Sequence, residues 1–198
     1  MYPTLLVFAS LVAAIASVGS EDTSSNGSPV DAWKTVTLPG VFYLFYRSYQ
    51  NDEGLGGTGI CVSIQFSEEV QAAKTAKSII KYQEAQKNSL TKKPVLVTVL
   101  RSGGDTIQMR NAEGNDASTT TCQFLYSVYG TCDVVSVLGT EEPKCELWFS
   151  ADVVASGGDT SGNSNIAKCE EAYNKHCPGQ SKNQIYYDTC SSLQTGSK

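Results

Sequence analysis

Asp133, Glu146 and Trp148 stand out in this chain as residues able to do chemistry, and that chemistry is capture of a cation. A carboxylate attracts an ammonium group and accepts its hydrogen bonds, and an indole face attracts both the charge and a flat ring. They occur in a fixed pattern: Cys132-Asp133-Val134, a spacer, Glu146-Leu147-Trp148, a second spacer, and Cys169.

Side chains on a strand alternate between faces, so the pattern can be sorted by parity. Asp133, Val135 and Val137 share one face of a first strand, while Cys132, Val134, Ser136 and Leu138 share the other. Glu146, Trp148 and Ser150 share one face of a second strand, opposite Cys145, Leu147 and Phe149. The polar connection Gly139 to Lys144, with Pro143, predicts an antiparallel hairpin. Both acids then lie on one side and both cysteines on the other. If the cysteines point out of a closed sheet, Asp133, Glu146 and Trp148 point in. A buried carboxylate costs roughly several kcal/mol unless a cation or hydrogen-bond donors meet it, which marks these acids as more than filling.

At these residues the chain resembles the tick salivary lipocalins, the histamine-binding proteins, whose signature is Cys-Asp-Val, spacer, Glu-Leu-Trp, spacer, Cys. A second stretch agrees in order and spacing: Asp31-Ala32-Trp33-Lys34, the aromatic run Phe42 to Tyr49, Asn51-Asp52, then Cys61-Val62. The likeness covers about residues 30 to 190 and is weak between Ser67 and Thr121. It implies an eight-stranded antiparallel lipocalin barrel, all-β, with one C-terminal helix packed outside. It also implies that Tyr49, Asp52, Glu146 and Trp148 form one amine site and that Asp133 belongs to a second. Pairing Val137 with Glu146 in the hairpin would set Asp133 about 13 Å away along the strand, giving two separate regions. Leu55 stands where the family's histamine binders carry a tryptophan, and Lys92-Lys93 fall where an acid would support the second site. Met109 and Thr120 or Thr121 fall near positions that are aromatic there.

Length and charge bound the reading independently. A chain of 198 residues predicts one domain, or at most two small ones. Met1 to Ser20 has no charged side chain and includes the apolar run Leu5 to Val18, which predicts a secretory signal peptide (1–20) cleaved near Ser20 or Ala16. The net charge of −5 argues against nucleic acid or anionic membrane as partner and suits a cationic ligand, although such a surface serves solubility first. Seven cysteines in a secreted chain predict disulfides, with one left over. Sequence alone leaves the connectivity open. The resemblance implies Cys61 with Cys190 and Cys132 with Cys169, and the related pattern Cys145 with Cys177. Cys122 remains, either a buried free thiol or an intermolecular bridge.

The elements that must position the acids follow in order. Residues 21–29 are expected to be a disordered tail, with a glycosylation sequon at Asn26 followed by Pro29. The lipocalin domain is expected over 30–190 and a second disordered tail over 191–198. Val30 to Trp33 should be a helical turn closing one barrel end. Strands are expected at Val41–Gln50, Ile60–Phe66, Ser78–Tyr82, Pro94–Leu100, Thr106–Arg110 and Ser118–Tyr129, before the hairpin at Asp133–Ser150. Glu68 to Gln86 also carries helical spacing at Val70, Ala73, Ala76 and Ile80, and it is read as strand. Gly54 to Gly59 formally matches a dinucleotide-binding glycine motif, but a strand follows it where that motif needs a helix, so it reads as a loop at the barrel mouth. Gly157 to Asn163 reads as a flexible connection. Ile166 to His176 reads as the helix, with Ile166, Cys169, Tyr173 and Cys177 on one stripe that would cover Leu147 and Phe149.

The function expected is a secreted salivary lipocalin, a monomer without cofactor or metal, that sequesters a biogenic amine of the host such as histamine or serotonin. Two alternatives stay open. One is a lipocalin for fatty acids or eicosanoids, with Arg47 or Arg110 inside the barrel. The other is a lipocalin acting through its loops on a host protein such as a complement component. Catalysis is not expected, because the single histidine, His176, falls at the exposed end of the last helix and no Ser or Cys is poised beside a base. The cysteines also lack zinc-type spacing.

Overall fold

A computed structural model describes residues 29–52, 54, 57–70, 73–85, 87–102, 104–113, 118–155 and 164–195. The signal peptide, the sequon at Asn26 and the connection Gly157 to Asn163 lie outside the described residues.

The described chain begins at the closed end of a barrel. Helix α1 (Ala32–Val36) is capped by Asp31, whose side chain accepts from the backbone N–H of Trp33 and Lys34 at 3.0 and 3.2 Å. Such a cap satisfies donors that have no partner within the helix. The helix is tied across the barrel floor by Ala32 N–H to Gly104 C=O (3.0 Å) and by the Tyr129 hydroxyl, which accepts from Asp31 N–H (2.9 Å). Trp33 packs half-buried on the core as the plug expected for it, and the Lys74 ammonium lies 4.8 Å from its ring centre.

Eight strands follow: β1 (Val41–Arg47), β2 (Ile60–Val70), β3 (Thr75–Gln83), β4 (Leu90–Val99), β5 (Thr106–Asn111), β6 (Thr119–Val128), β7 (Cys132–Leu138) and β8 (Lys144–Ser150). Each pairs antiparallel with the next, and β1 pairs with both β8 and β2, so the sheet closes into the expected eight-stranded lipocalin barrel. The ambiguous segment after Glu68 is strand, because all of β3 from Thr75 to Gln83 is paired with β4. Tertiary pairing overrides the helical spacing there. A two-residue strand, β9 (Asn183–Gln184), adds to the end of β1.

Two local shifts set which side chains enter the barrel. In β1 the register against β8 slips between Leu44 and Tyr46, so that Phe42, Leu44 and then Arg47 face inward while Tyr43 and Tyr46 face out. A bulge of this kind reverses the alternation beyond it. In the hairpin, Val135 opposes Glu146 and Asp133 opposes Trp148. The expected opposition of Val137 to Glu146 is therefore corrected by two residues. Asp133 stands only about 7 Å along the strand direction from the level of Glu146.

Outside the barrel, α3 (Ser164–His176) buries Ile166, Cys169, Ala172, Tyr173 and, just beyond its end, Cys177 against Leu147, Phe149, Cys132 and Cys145. Disulfides join Cys132 to Cys169, Cys145 to Cys177 and Cys61 to Cys190, while Cys122 is a buried free thiol. Two short helices add to the one expected: α2 (Ala151–Ala155) directly after β8 and α4 (Thr189–Thr195) around Cys190. The tail expected to be disordered from 191 is helical through Thr195, because its start is pinned to β2 by Cys190.

Candidate ligand site

The barrel interior is a cavity enclosing about 830 Å³ of empty space, counting the part open to solvent, that runs from α1 at the floor towards Asp52 at the mouth. Most of its wall is apolar, with Phe42, Ile64, Phe66, Ile80, Val97, Ile107, Phe124 and Val135 contributing. Three carboxylates interrupt it: Asp52, Asp133 and Glu146. All three line one cavity. The two separate regions expected from the sequence merge, as the observed hairpin register requires.

The mouth is built around Glu146, which is 3% exposed. Trp148, two residues along the same strand face, donates its indole N–H to Glu146 Oε2 at 2.9 Å. The Tyr49 hydroxyl, on the turn after β1, contacts Glu146 Oε1 and also lies 2.9 Å from Asp52 Oδ2. Tyr49, Asp52, Glu146 and Trp148, assigned together by resemblance, are thus one hydrogen-bonded unit. Tyr49 does not line the cavity, however, and its ring already has the Arg47 guanidinium at 5.4 Å and the Lys144 ammonium at 4.8 Å. Its contribution to the site is its hydroxyl, whereas Trp148 presents its ring to the cavity.

Burial pushes the Glu146 carboxyl up to about 7; the Tyr49 hydroxyl, the Trp148 N–H and the Arg47 charge pull it down, and the neighbouring Asp52 pushes it up. Tyr49 is raised far above the usual phenol range by burial and by the two carboxylates it touches. Asp133, nearer the floor, is also pushed up to about 7 by burial, with the Ser127 hydroxyl the counteracting group. Asp133 Oδ1 and Ser150 Oγ are buried without a hydrogen-bond partner. Buried polar atoms are normally paired, and of these residues Asp133 is the one that lines the cavity, where a ligand's donor could meet it.

Sequence reasoning gave Arg47 only to the lipid alternative and left its position open. It is 1% exposed, faces Glu146 across the β1–β8 pair, and donates through Nη2 to Gln50 C=O (2.7 Å) and Gly57 C=O (2.8 Å). Its Nε and Nη1 have no partner. Arg110 points to solvent, which removes it from the interior. Of the basic pair at β4, Lys92 is exposed and Lys93 reaches the mouth, where its ammonium donates to Gly54 C=O at 3.1 Å. Met109 and Thr120 line the cavity, and so does Cys122. Burial holds the Cys122 thiol well above its usual range, and the charges of Glu146 and Asp52 add to that.

Among solved structures, the fold is similar to that of Japanin from Rhipicephalus appendiculatus, which was solved with cholesterol bound (11% identity, 77% of this chain and 96% of that one, TM-score 0.55). It is similar also to the allergen Per a 4 from cockroaches (12%, 83% and 93%, TM-score 0.57) and to a biogenic amine-binding protein (14%, 85% and 92%, TM-score 0.53). At such identities these likenesses speak for the fold alone. No curated protein sequence matches significantly. The family model described as tick histamine binding protein matches residues 20–192, and with the signature residues gathered in one barrel the chain belongs to that family.

Proposed function

We propose that this protein is a secreted lipocalin that binds a biogenic amine of the host and withholds it from its receptors, without chemical change. The observation that carries this reading is the set of three carboxylates and one indole in an otherwise apolar cavity. Glu146 and Asp52 meet the ammonium, Trp148 packs on the ring, and Asp133 receives a donor at the far end. In low dielectric each of these contacts is stronger than in water, and the cation relieves the cost of the buried carboxylates. Binding without catalysis fits a chain whose one histidine, His176, is exposed outside the barrel. Three disulfides fit secretion.

A second reading, a fatty acid or eicosanoid, is favoured by one observation: the buried Arg47 has two unpaired N–H-bearing nitrogens, which suit a carboxylate. Titration calorimetry with histamine, serotonin and arachidonate decides between the two. Amine binding is expected to weaken roughly tenfold to a hundredfold in Glu146→Gln, the worth of one charged hydrogen-bond partner. Uptake of arachidonate with indifference to both amines would replace the first reading by the second.

A further inference from the structure

The Tyr49 hydroxyl lies within hydrogen-bond reach of two carboxylates, Glu146 and Asp52. A phenol has one hydrogen and can donate it once; towards the other oxygen it can only accept. A carboxylate has no hydrogen to give. For both contacts to be hydrogen bonds, one of the two acids must carry a proton, so the three groups form a chain that holds one carboxyl in its neutral form. The Trp148 N–H already occupies the other oxygen of Glu146 and adds no charge.

Charge balance agrees with this count. Arg47 is buried opposite Glu146 and contributes one positive charge to the same inner wall. Two acids sharing one proton carry one negative charge, so the empty cluster is neutral, as a buried cluster must be to avoid a large desolvation cost.

We propose that Arg47 and the Glu146–Tyr49–Asp52 chain make this site an exchanger that takes up a ligand carrying a single positive charge and releases one proton for it. The inference rests on the amine reading above and sharpens it. The balance is one ammonium in and one proton out to solvent: the cluster passes from Arg47 plus a protonated acid pair to Arg47, two carboxylates and the cation, and is neutral in both states. A ligand with two charges would leave the cluster positive and is disfavoured; a neutral ligand displaces no proton.

Among the described residues, the other titratable and charged groups near the Glu146–Tyr49 contact are these. From β6, Cys122 faces it as a neutral thiol. From β7, Asp133 stands opposite Trp148 towards the floor, and its carboxyl is likewise pushed up to about 7. From α3, behind β8, Tyr173 is pushed up to about 12 and stays neutral. Lys144 of β8 and Lys93 of β4 are only half-buried, so water screens their charges.

The experiment uses the full oxidised chain and serotonin, which keeps one positive charge through the pH range where these acids titrate. Calorimetry at pH 6 in buffers of different ionisation heat is expected to show about one proton released per serotonin bound. With the acid titrating near 7, apparent affinity should rise about twenty- to thirtyfold from pH 5.5 to 7.5 and then level off. In Glu146→Gln combined with Asp133→Asn, which removes the second cavity acid titrating near 7, the remaining affinity should be flat over that range, and in Arg47→Met the rise should move to higher pH. Carbon-13 spectra of the ligand-free protein with labelled Asp and Glu carboxyls should show a buried carboxyl titrating near neutrality that Glu146→Gln removes. Serotonin binding with no proton released, and with both acids ionised in the free protein at pH 6, overturns this inference and leaves amine binding standing. No amine binding at any pH overturns both.

Discussion

Arg47 and Glu146 stand directly across the β1–β8 pair from one another, both inside the barrel and both closed off from solvent. The arginine does more than balance charge. Through Nη2 it holds the carbonyls of Gln50 and Gly57, fixing the two ends of the turn that carries Asp52. Arg47→Met keeps the length and loses both anchors, and each hydrogen bond from a charged donor contributes about 1.5–3 kcal/mol. The variant is expected to lose about 3 kcal/mol or more of unfolding free energy in urea titration. A change below about 0.5 kcal/mol would show that the turn is held by other contacts.

Glu146 and Asp133 both titrate near 7 in the folded barrel, above their ordinary values. An acid whose folded pKa is raised binds more protons folded than unfolded, so stability is present at low pH and is lost as pH rises through the folded value. The ligand-free protein should therefore be more stable at pH 5 than at pH 8, by as much as roughly 3 kcal/mol for each acid. Denaturant midpoints at the two pH values test the sign. Equal midpoints, or a higher one at pH 8, would contradict it.

Asp133 is retained at a cost to the ligand-free barrel, since its carboxyl is buried and its Oδ1 is unpaired. Asp133→Leu is expected to raise stability at pH 8 by about 1–3 kcal/mol, because the desolvation penalty disappears. Calorimetric melting decides this, and a fall in melting temperature would mean that the carboxylate has a partner when folded.

The Cys61–Cys190 bridge closes a loop of 129 residues, against 37 and 32 for the other two. Chain-entropy estimates give about 4–5 kcal/mol for the long loop and somewhat under 4 for the short ones. Replacing Cys61 and Cys190 by alanine should thus lower the melting temperature more than replacing either other pair, and it should also free α4 from the barrel to early proteolysis.

Cys122 faces the cavity as a neutral thiol, and the nucleophile in thiol chemistry is the thiolate. Alkylation by iodoacetamide at pH 8 should be slow in the native protein, limited by opening, and complete in guanidinium. Fast native labelling would show that the cavity admits solvent and charge freely at that wall.

How legible this molecule is in its sequence depends on whether strict alternation survives. In the hairpin it does, so Cys132 and Cys145 can be assigned outward and Asp133, Glu146 and Trp148 inward from parity alone, as the structure has them. In β1 a single bulged residue at Phe45 breaks the count: parity from Leu44 sends Arg47 outward, yet it is the most buried charge in the barrel. No local signal marks a bulge inside an aromatic run. Register was hidden for a related reason, since the polar connection Gly139 to Pro143 fits more than one turn geometry and the choice falls to packing. Arg110 follows the alternation of β5: Ile107 and Met109 face the cavity, so its side chain faces water.

The placement of the two outer disulfides bears on how this barrel could acquire a new ligand. Cys132 adjoins Asp133 and Cys145 adjoins Glu146, so each inward acid of the hairpin has a neighbour bolted to α3 from behind. That half of the wall meets every ligand in the same shape, with little ordering left to do on binding. The opposite half, β2 to β5, has no cross-link to α3 and supplies apolar side chains such as Ile64, Ile80 and Val97. Substitutions there can resize the cavity without moving the acids. Diversification of specificity, by selection or by design, is therefore confined to one side: the charge-reading wall is constant and the shape-reading wall is free to vary.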